Sequence, residues 1–245
     1  MEKFIKTLSS IITSILFYVI AAYIYLISKG FVYENGTFKL INEVQARTNE
    51  TQTEFAHKID NTVAINFDDS KAIGDKNAPL TLYEFSSLGC SHCADFHLNI
   101  LPKLKTDFID QGMLKVVFVN FPLDKKSMKG AILSECLNTE EKEKFLNTAF
   151  LKQREWMLSF RPEEVLSKIA ISDSFSAEDA KKCLNDDNLS TQILADRQDA
   201  IDKLKMQGTP AFLFRTKDLN EIIYGVPDYQ ELKSYIENRL SNIWG

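Results

Sequence analysis

Read for period alone, the chain divides into unlike stretches. Residues 7–28 carry no charge, and 11–27 are mostly Ile, Leu, Val, Ala, Phe and Tyr. A helix rising 1.5 Å per residue needs about 20 such residues to cross about 30 Å of hydrocarbon. With Lys3 and Lys6 ahead and Lys29 behind, this run is expected to be an N-terminal signal-anchor, a transmembrane helix over 1–29. Cleavage as a secretory signal peptide near Ala21-Ala22 is the other reading. Residues 30–70 read as a polar linker or small extension, with Asn35-Gly36 suited to a tight hairpin turn. His57 stands alone there and reads as an ordinary exposed histidine.

From residue 71 the texture changes. "LTLYEF" (80–85) and "LKVVFVNFP" (114–122) are β-branched and aromatic and predict buried strands. Between them Phe96, Ile100, Leu101 and Leu104 recur at helical spacing, with Pro102 expected to kink that helix. "AFLFRT" (211–216) and "EIIYGV" (221–226) predict an antiparallel hairpin, and a helix from Asp228 to about Leu240 follows. The stretch 125–205 is helical throughout. Met128, Ala131, Ile132 and Cys136 share one face, and Phe145, Leu146, Ala149, Phe150, Trp156 and Met157 another. Arg161-Pro162 opens a helix, Ser176 to Asp179 reads as a capping box, and Gly208 is expected to end the last helix. Strand–helix–strand, helical block, strand–strand–helix describes an α/β fold: a mixed sheet flanked by helices, built from 71–124 and 206–245, with an all-helical insertion over 125–205.

Composition changes this picture little. With 44% apolar and 26% charged residues the chain is ordinary for a globular protein, and a net charge of −5 without a long basic run makes nucleic acid a poor partner. Positive charge ahead of the apolar run places residues 30–245 outside the cytoplasm. All four cysteines then lie where disulfides persist.

The chemistry concentrates in "CSHC", residues 90–93. A strand that ends in Cys-x-x-Cys and opens a helix is a thioredoxin-like redox arrangement. Cys90 falls at the helix N-terminus, where unpaired amides and the helix dipole favour a thiolate. Cys93, one turn further in, is expected to be the less accessible, resolving thiol. His92 is expected to favour the Cys90 thiolate through its imidazole; filling an exposed turn is its alternative. Zinc on Cys90, His92, Cys93 and His97 lacks the second ligand pair that structural sites use, so no metal is expected. Nucleophilic hydrolysis lacks a base and an orienting acid. Cys136 and Cys183, each on an apolar helix face, are expected to form a structural disulfide, with two buried free thiols as the alternative.

"APLTLYEFSSLGCSHCADFH", the helical insertion and "GTPAFLF" together resemble the DsbA family of thioredoxin-fold protein disulfide oxidoreductases over roughly residues 70–240. The resemblance implies a thioredoxin fold, with Cys90 as the attacking thiol. It implies that Thr209-Pro210 is the cis-proline loop that faces the redox pair and holds an extended client. It also implies that Glu84 is an acid beneath the active site, able to relay a proton to or from Cys93; a plain surface strand glutamate is the alternative. Clients are then unfolded exported proteins with cysteines, in the bacterial periplasm, with the enzyme tethered to the inner membrane or free if the N-terminal segment is cleaved. A quinone-linked membrane partner reoxidises it, and no cofactor is required, because the sulfurs carry the electrons. Ser91 and Thr209 depart from the residues of several family members, which leaves open an isomerase or reductase kept reduced by a membrane partner. A surface binding protein with an idle redox motif is the reading from another class.

Overall fold

The computed structural model describes residues 2–34, 37–40, 55–60 and 67–244. Asn35-Gly36 and most of 41–66 lie outside the described residues. The chain forms two compact units, Met1–Phe55 and Ala56–Gly245.

In the first unit, helix α1 spans Glu2–Ser28. Strands β1 (Phe31–Glu34) and β2 (Thr37–Leu40) pair antiparallel, with Phe31 opposite Leu40. From Ile15 onward, where side chains are described, Ile15, Leu16, Phe17, Tyr18, Val19, Ile20, Tyr23, Ile24, Tyr25 and Ile27 are all exposed. Among the described residues no helix is long and apolar enough to cross a membrane.

The second unit is built on a mixed five-stranded sheet ordered β3-β7-β6-β4-β5. Its strands are β3 (His57–Lys58), β4 (Leu80–Ser86), β5 (Leu114–Asn120), β6 (Ala211–Arg215) and β7 (Asn220–Tyr224). β4 runs parallel to β5 and antiparallel to β6. Every residue of β4 is buried, as expected of a central strand covered on both faces. His57 is exposed on the short edge strand.

Alternation along the strands assigns the two faces. Tyr83, Phe85, Val117, Val119 and Leu213 pack with Ala200 and Leu204. The opposite face carries Glu84, Phe118, Phe212 and Phe214; the Phe212 ring lies 4.2 Å from that of Phe96, and Phe214 4.9 Å from Tyr235. Phe96 belongs to helix α2 (91–109) and Tyr235 to helix α9 (Tyr229–Trp244).

Helix α2 shows what Pro102 costs. The α segment Ser91–Asp95 gives way to a π turn, Phe96–Ile100; Leu101–Leu104 is α again, and a second π turn covers Lys105–Ile109. Proline has no N–H for the carbonyl four residues back and its ring crowds that carbonyl, so the turn ahead of it widens. The helix continues across the proline.

The insertion comprises α3 (Lys125–Cys136), α4 (Thr139–Leu151), α5 (Gln153–Leu158), α6 (Pro162–Ala170), α7 (Ala177–Leu184) and α8 (Asp187–Leu204). Its starts are chemically marked. Asp124, Asn138 and Ser176 form reciprocal capping boxes, and α6 has Pro162 in its first turn. Trp156 is fully buried, and its Nε1 donates to the Ala149 carbonyl at 2.8 Å. The last helix stops before Gly208, because Lys205 takes the left-handed conformation (φ 56°). That turn drives Met206 into the core, where it is 3% exposed. A hydrophobic contact past the cap is a common companion of left-handed helix ends.

Candidate active site

β4 delivers the chain to the start of α2, and the turn between them carries Cys90. Cys90 caps the helix in an extended conformation (φ −85°, ψ 123°), and the Cys93 N–H donates to its sulfur at 3.4 Å. Its own N–H donates to the Ser87 carbonyl at 2.9 Å. Thr209 approaches from the loop before β6, where the Thr209-Pro210 bond is cis. The Cys90 thiol donates to the Thr209 carbonyl at 3.5 Å. Residues 119 apart in sequence thus meet at one sulfur.

The two thiols are free, Cys90 partly exposed and Cys93 fully buried. Their proton affinities are pushed apart. Cys90 is lowered to about 5, foremost by the Cys93 thiol donating to its sulfur, against the cost of burial. Thr209 and the amides of Cys93 and His92 add to the lowering; the Thr209 hydroxyl has no hydrogen-bond partner among the described residues. Cys93 is raised, first by desolvation and then by its bond to Cys90, while Ser86, Thr209 and the Ser87 backbone pull the other way. At pH 7 a thiol near 5 is about 99% thiolate, against about 3% for a free cysteine near 8.5.

His92 is exposed. Among the described residues its imidazole makes no hydrogen bond to Cys90; its backbone N–H is what acts on the sulfur. His97, one turn beyond Cys93, is 1% exposed and faces Glu84, with Nδ1 3.9 Å from Oε2. Glu84 is fully buried on β4, opposite Phe118 on β5 and Phe212 on β6. Neither carboxyl oxygen, neither His97 nitrogen, nor the Ser86 hydroxyl has a hydrogen-bond partner among the described residues. A polar cluster therefore lies in apolar surroundings below Cys93. The zinc reading grouped His97 with Cys90, Cys93 and His92. Among the described residues no group of three or more His, Cys, Asp or Glu is placed to hold a metal.

Cys136 and Cys183 are disulfide-bonded, with Cα atoms 6.3 Å apart, tying α3 to α7. A groove of about 590 Å³ runs along Lys205, Gln207, Gly208, Thr209, Pro210, Tyr224 and Gly225, beside the redox pair. Two neighbours of the redox pair had no redox signal in the sequence. His97 entered there only as a fourth candidate zinc ligand. Gln153 of the insertion, which bonds to the reactive turn, had no local signal.

A family model described as Thioredoxin matches residues 67–238. Disulfide bond formation protein D of Bacillus subtilis is 30% identical over 173 residues, 69% of this chain and 76% of that protein. The chain belongs to the DsbA family of thioredoxin-fold proteins. The crystal structure of Wolbachia pipientis alpha-DsbA1 aligns with a TM-score of 0.66 at 28% identity, covering 73% of this chain and 94% of that one. A Rickettsia conorii protein named as a protein-disulfide oxidoreductase is 30% identical over 146 residues, 59% of this chain and 53% of its own length. The chain thus spans about half the length of the rickettsial relatives it matches. The DsbA-type arrangement accounts for the helical insertion, since the core of that insertion packs against Cys90, Cys93 and Ala94.

Proposed function

We propose that this chain is a thiol–disulfide oxidoreductase that introduces disulfides into exported proteins. The observation that carries the reading is the asymmetry between its two sulfurs: one acidic and accessible, the other buried and protonated. In the oxidised form a client thiolate attacks the Cys90 sulfur, the accessible one. The Cys90–Cys93 bond breaks, a client–Cys90 bond forms, and Cys93 leaves and takes up a proton. A second client thiolate then attacks the client sulfur of the mixed disulfide. The client gains its disulfide and Cys90 departs as a thiolate. Two electrons have entered the pair, and a stable thiolate as leaving group makes that direction favourable. Cys93 departs inside the protein, so its proton needs an internal source; Glu84, with His97 against it, lies on that side of the sheet. Thr209 and Pro210 line the groove into which an extended client segment fits.

The remaining assignments are parts of the same proposal. Residues 7–28 anchor the chain to the inner membrane with the redox unit in the periplasm. The uncharged run and the exposed apolar side chains from Ile15 to Ile27 support this. Extraction of membranes with alkaline carbonate tests it: an anchored chain stays in the pellet. A quinone-linked membrane protein restores the disulfide. The Cys136–Cys183 bond serves structure alone.

The deciding experiment is trapping with Cys93→Ala, which removes the resolving thiol. Mixed disulfides with exported proteins, together with a wild-type pair found oxidised in the cell, are the expected outcome. A pair found reduced in the cell would make the chain an isomerase or reductase. A variant that captures no client would leave the motif idle. Glu84→Gln is expected to slow exchange and alter its pH profile; an unchanged profile removes the relay.

A further inference from the structure

Gln153 is the first residue of α5. It belongs to the insertion, yet its side chain crosses to the reactive turn. Its Nε2 donates to the Leu88 carbonyl at 2.7 Å and to the Cys90 carbonyl at 2.9 Å. A primary amide nitrogen has two hydrogens, so both are committed to this one turn. The surroundings are tight. A Cβ on Gly89 would lie 2.9 Å from an Asp124 carboxylate oxygen and 3.5 Å from the Met157 sulfur. Lys126 Nζ holds the far end of α5 by donating to the carbonyls of Met157 at 2.6 Å and Ser159 at 3.0 Å. The reactive turn of the sheet unit is thus clamped by a helix that the bare thioredoxin fold lacks.

We propose that Gln153 is a positioning residue for the attacking sulfur, setting both the orientation of the Cys90 backbone and the potential around its thiolate. The orientation argument is geometric. Cys90 is extended while the next residue is already helical, and its carbonyl direction decides where the sulfur lies relative to the His92 and Cys93 amides. That carbonyl accepts from Ala94 N–H at 3.1 Å on the helix side and from Gln153 on the other. With both positions filled, the peptide plane cannot rotate without losing a bond. The potential argument is electrostatic. Carbonyl oxygens carry partial negative charge, and the Cys90 carbonyl is in the same residue as the thiolate. Amide hydrogens placed on it and on its neighbour offset that charge where a half-buried anion must be held.

The inference rests on Cys90 as the attacking thiol, and its test needs no client. Gln153→Met keeps the length and removes the donors. Gln153→Glu keeps the shape and turns donors into charged acceptors facing two carbonyls. In each folded, reduced variant the thiolate absorbance of Cys90 is titrated, and the equilibrium of the pair with glutathione is measured. We expect the midpoint to rise in both, further in the Glu variant and there by about one unit or more. The pair then holds its disulfide about tenfold more firmly per unit. If both variants keep the wild-type midpoint and the wild-type glutathione equilibrium, the proposal is overturned, whatever they lose in urea stability; Gln153 is then a strut. A midpoint that moves in variants of a chain which oxidises no client leaves this inference standing and removes the proposed function.

Discussion

The Cys93 N–H points at the Cys90 sulfur from 3.4 Å, across one turn of the same helix. The Cys93 thiol is the largest influence lowering Cys90. A buried thiol donor and a half-buried acceptor are therefore one unit, and the thiolate depends on its partner's proton.

The first prediction follows from that dependence. Thiolate absorbance of the reduced wild-type protein is expected to titrate with a midpoint of about 5. In Cys93→Ala the donor thiol is gone but the helix amides remain, so the midpoint rises while staying below about 8.5, the free-cysteine value. A wild-type midpoint near that of free cysteine contradicts the electrostatic account.

Stability inherits a pH dependence from the same sulfur. The folded value for Cys90 lies below its unfolded value. Between the two the unfolded chain binds more protons, so stability rises with pH. The reduced protein is expected to gain stability from pH about 5 up to about 8.5 and to lose it on acidification through that window. The oxidised protein has no thiolate there and lacks this component. Urea midpoints of both forms across that range check it, and parallel curves would refute it.

Glu84 is buried with neither oxygen hydrogen-bonded among the described residues, and His97 at 3.9 Å is its nearest ion-pair partner. Polar groups left without partners in an apolar site are costly, and replacing a buried pair together by apolar residues is commonly neutral or stabilising by about 1–4 kcal/mol. The Glu84→Leu/His97→Leu double variant is expected to raise the urea midpoint while slowing thiol–disulfide exchange. A lower midpoint would show that the pair is firmly held in the fold.

Joining Cys136 to Cys183 closes a separation of 47 residues. In the chain-entropy account such a cross-link stabilises by about 4 kcal/mol. The Cys136→Ser/Cys183→Ser double variant is expected to lose stability of that order, read from denaturant unfolding, while its Cys90 titration stays near wild type. A shifted titration would mean that the insertion transmits strain to the reactive turn.

Much of the fold was legible because its signals are local. The strand at 80–86, the hairpin at 211–224 and the helix starts at Pro162 and Ser176 each follow from period, propensity or capping within a few residues. Pro102 was legible as a disturbance, but whether it bends or widens the helix depends on what packs around it, and the helix widened into π turns. Gly208 was a sound stop by propensity, yet Lys205 turned first because Met206 had a core to enter. The N-terminal run forms the helix Glu2–Ser28, but among the described residues no helix is long and apolar enough to cross a membrane, so the span expected over 1–29 is not shown.

Within the candidate site, the spacing of Cys90 and Cys93 and their place after a strand were legible in the sequence. The imidazole of His92 suggested a role by adjacency, whereas it is the backbone amide of that residue that helps to hold the Cys90 thiol low. Glu84 was recognisable as a position on a strand, and its burial beside His97 appeared only once α2 lay over the sheet. Gln153 left no trace at all.

By itself the sequence determined where elements begin and end and which residues share a helical turn, because backbone sterics, side-chain period and capping act over a few residues. It thereby put an acidic thiol at a helix start. Only the tertiary structure decided what surrounds that thiol: a threonine 119 residues away in sequence, a glutamine from another helical layer, a carboxyl beneath the sheet face. Those neighbours are chosen by how the insertion and the sheet bury their apolar faces together, and burial is a property of the whole packed chain.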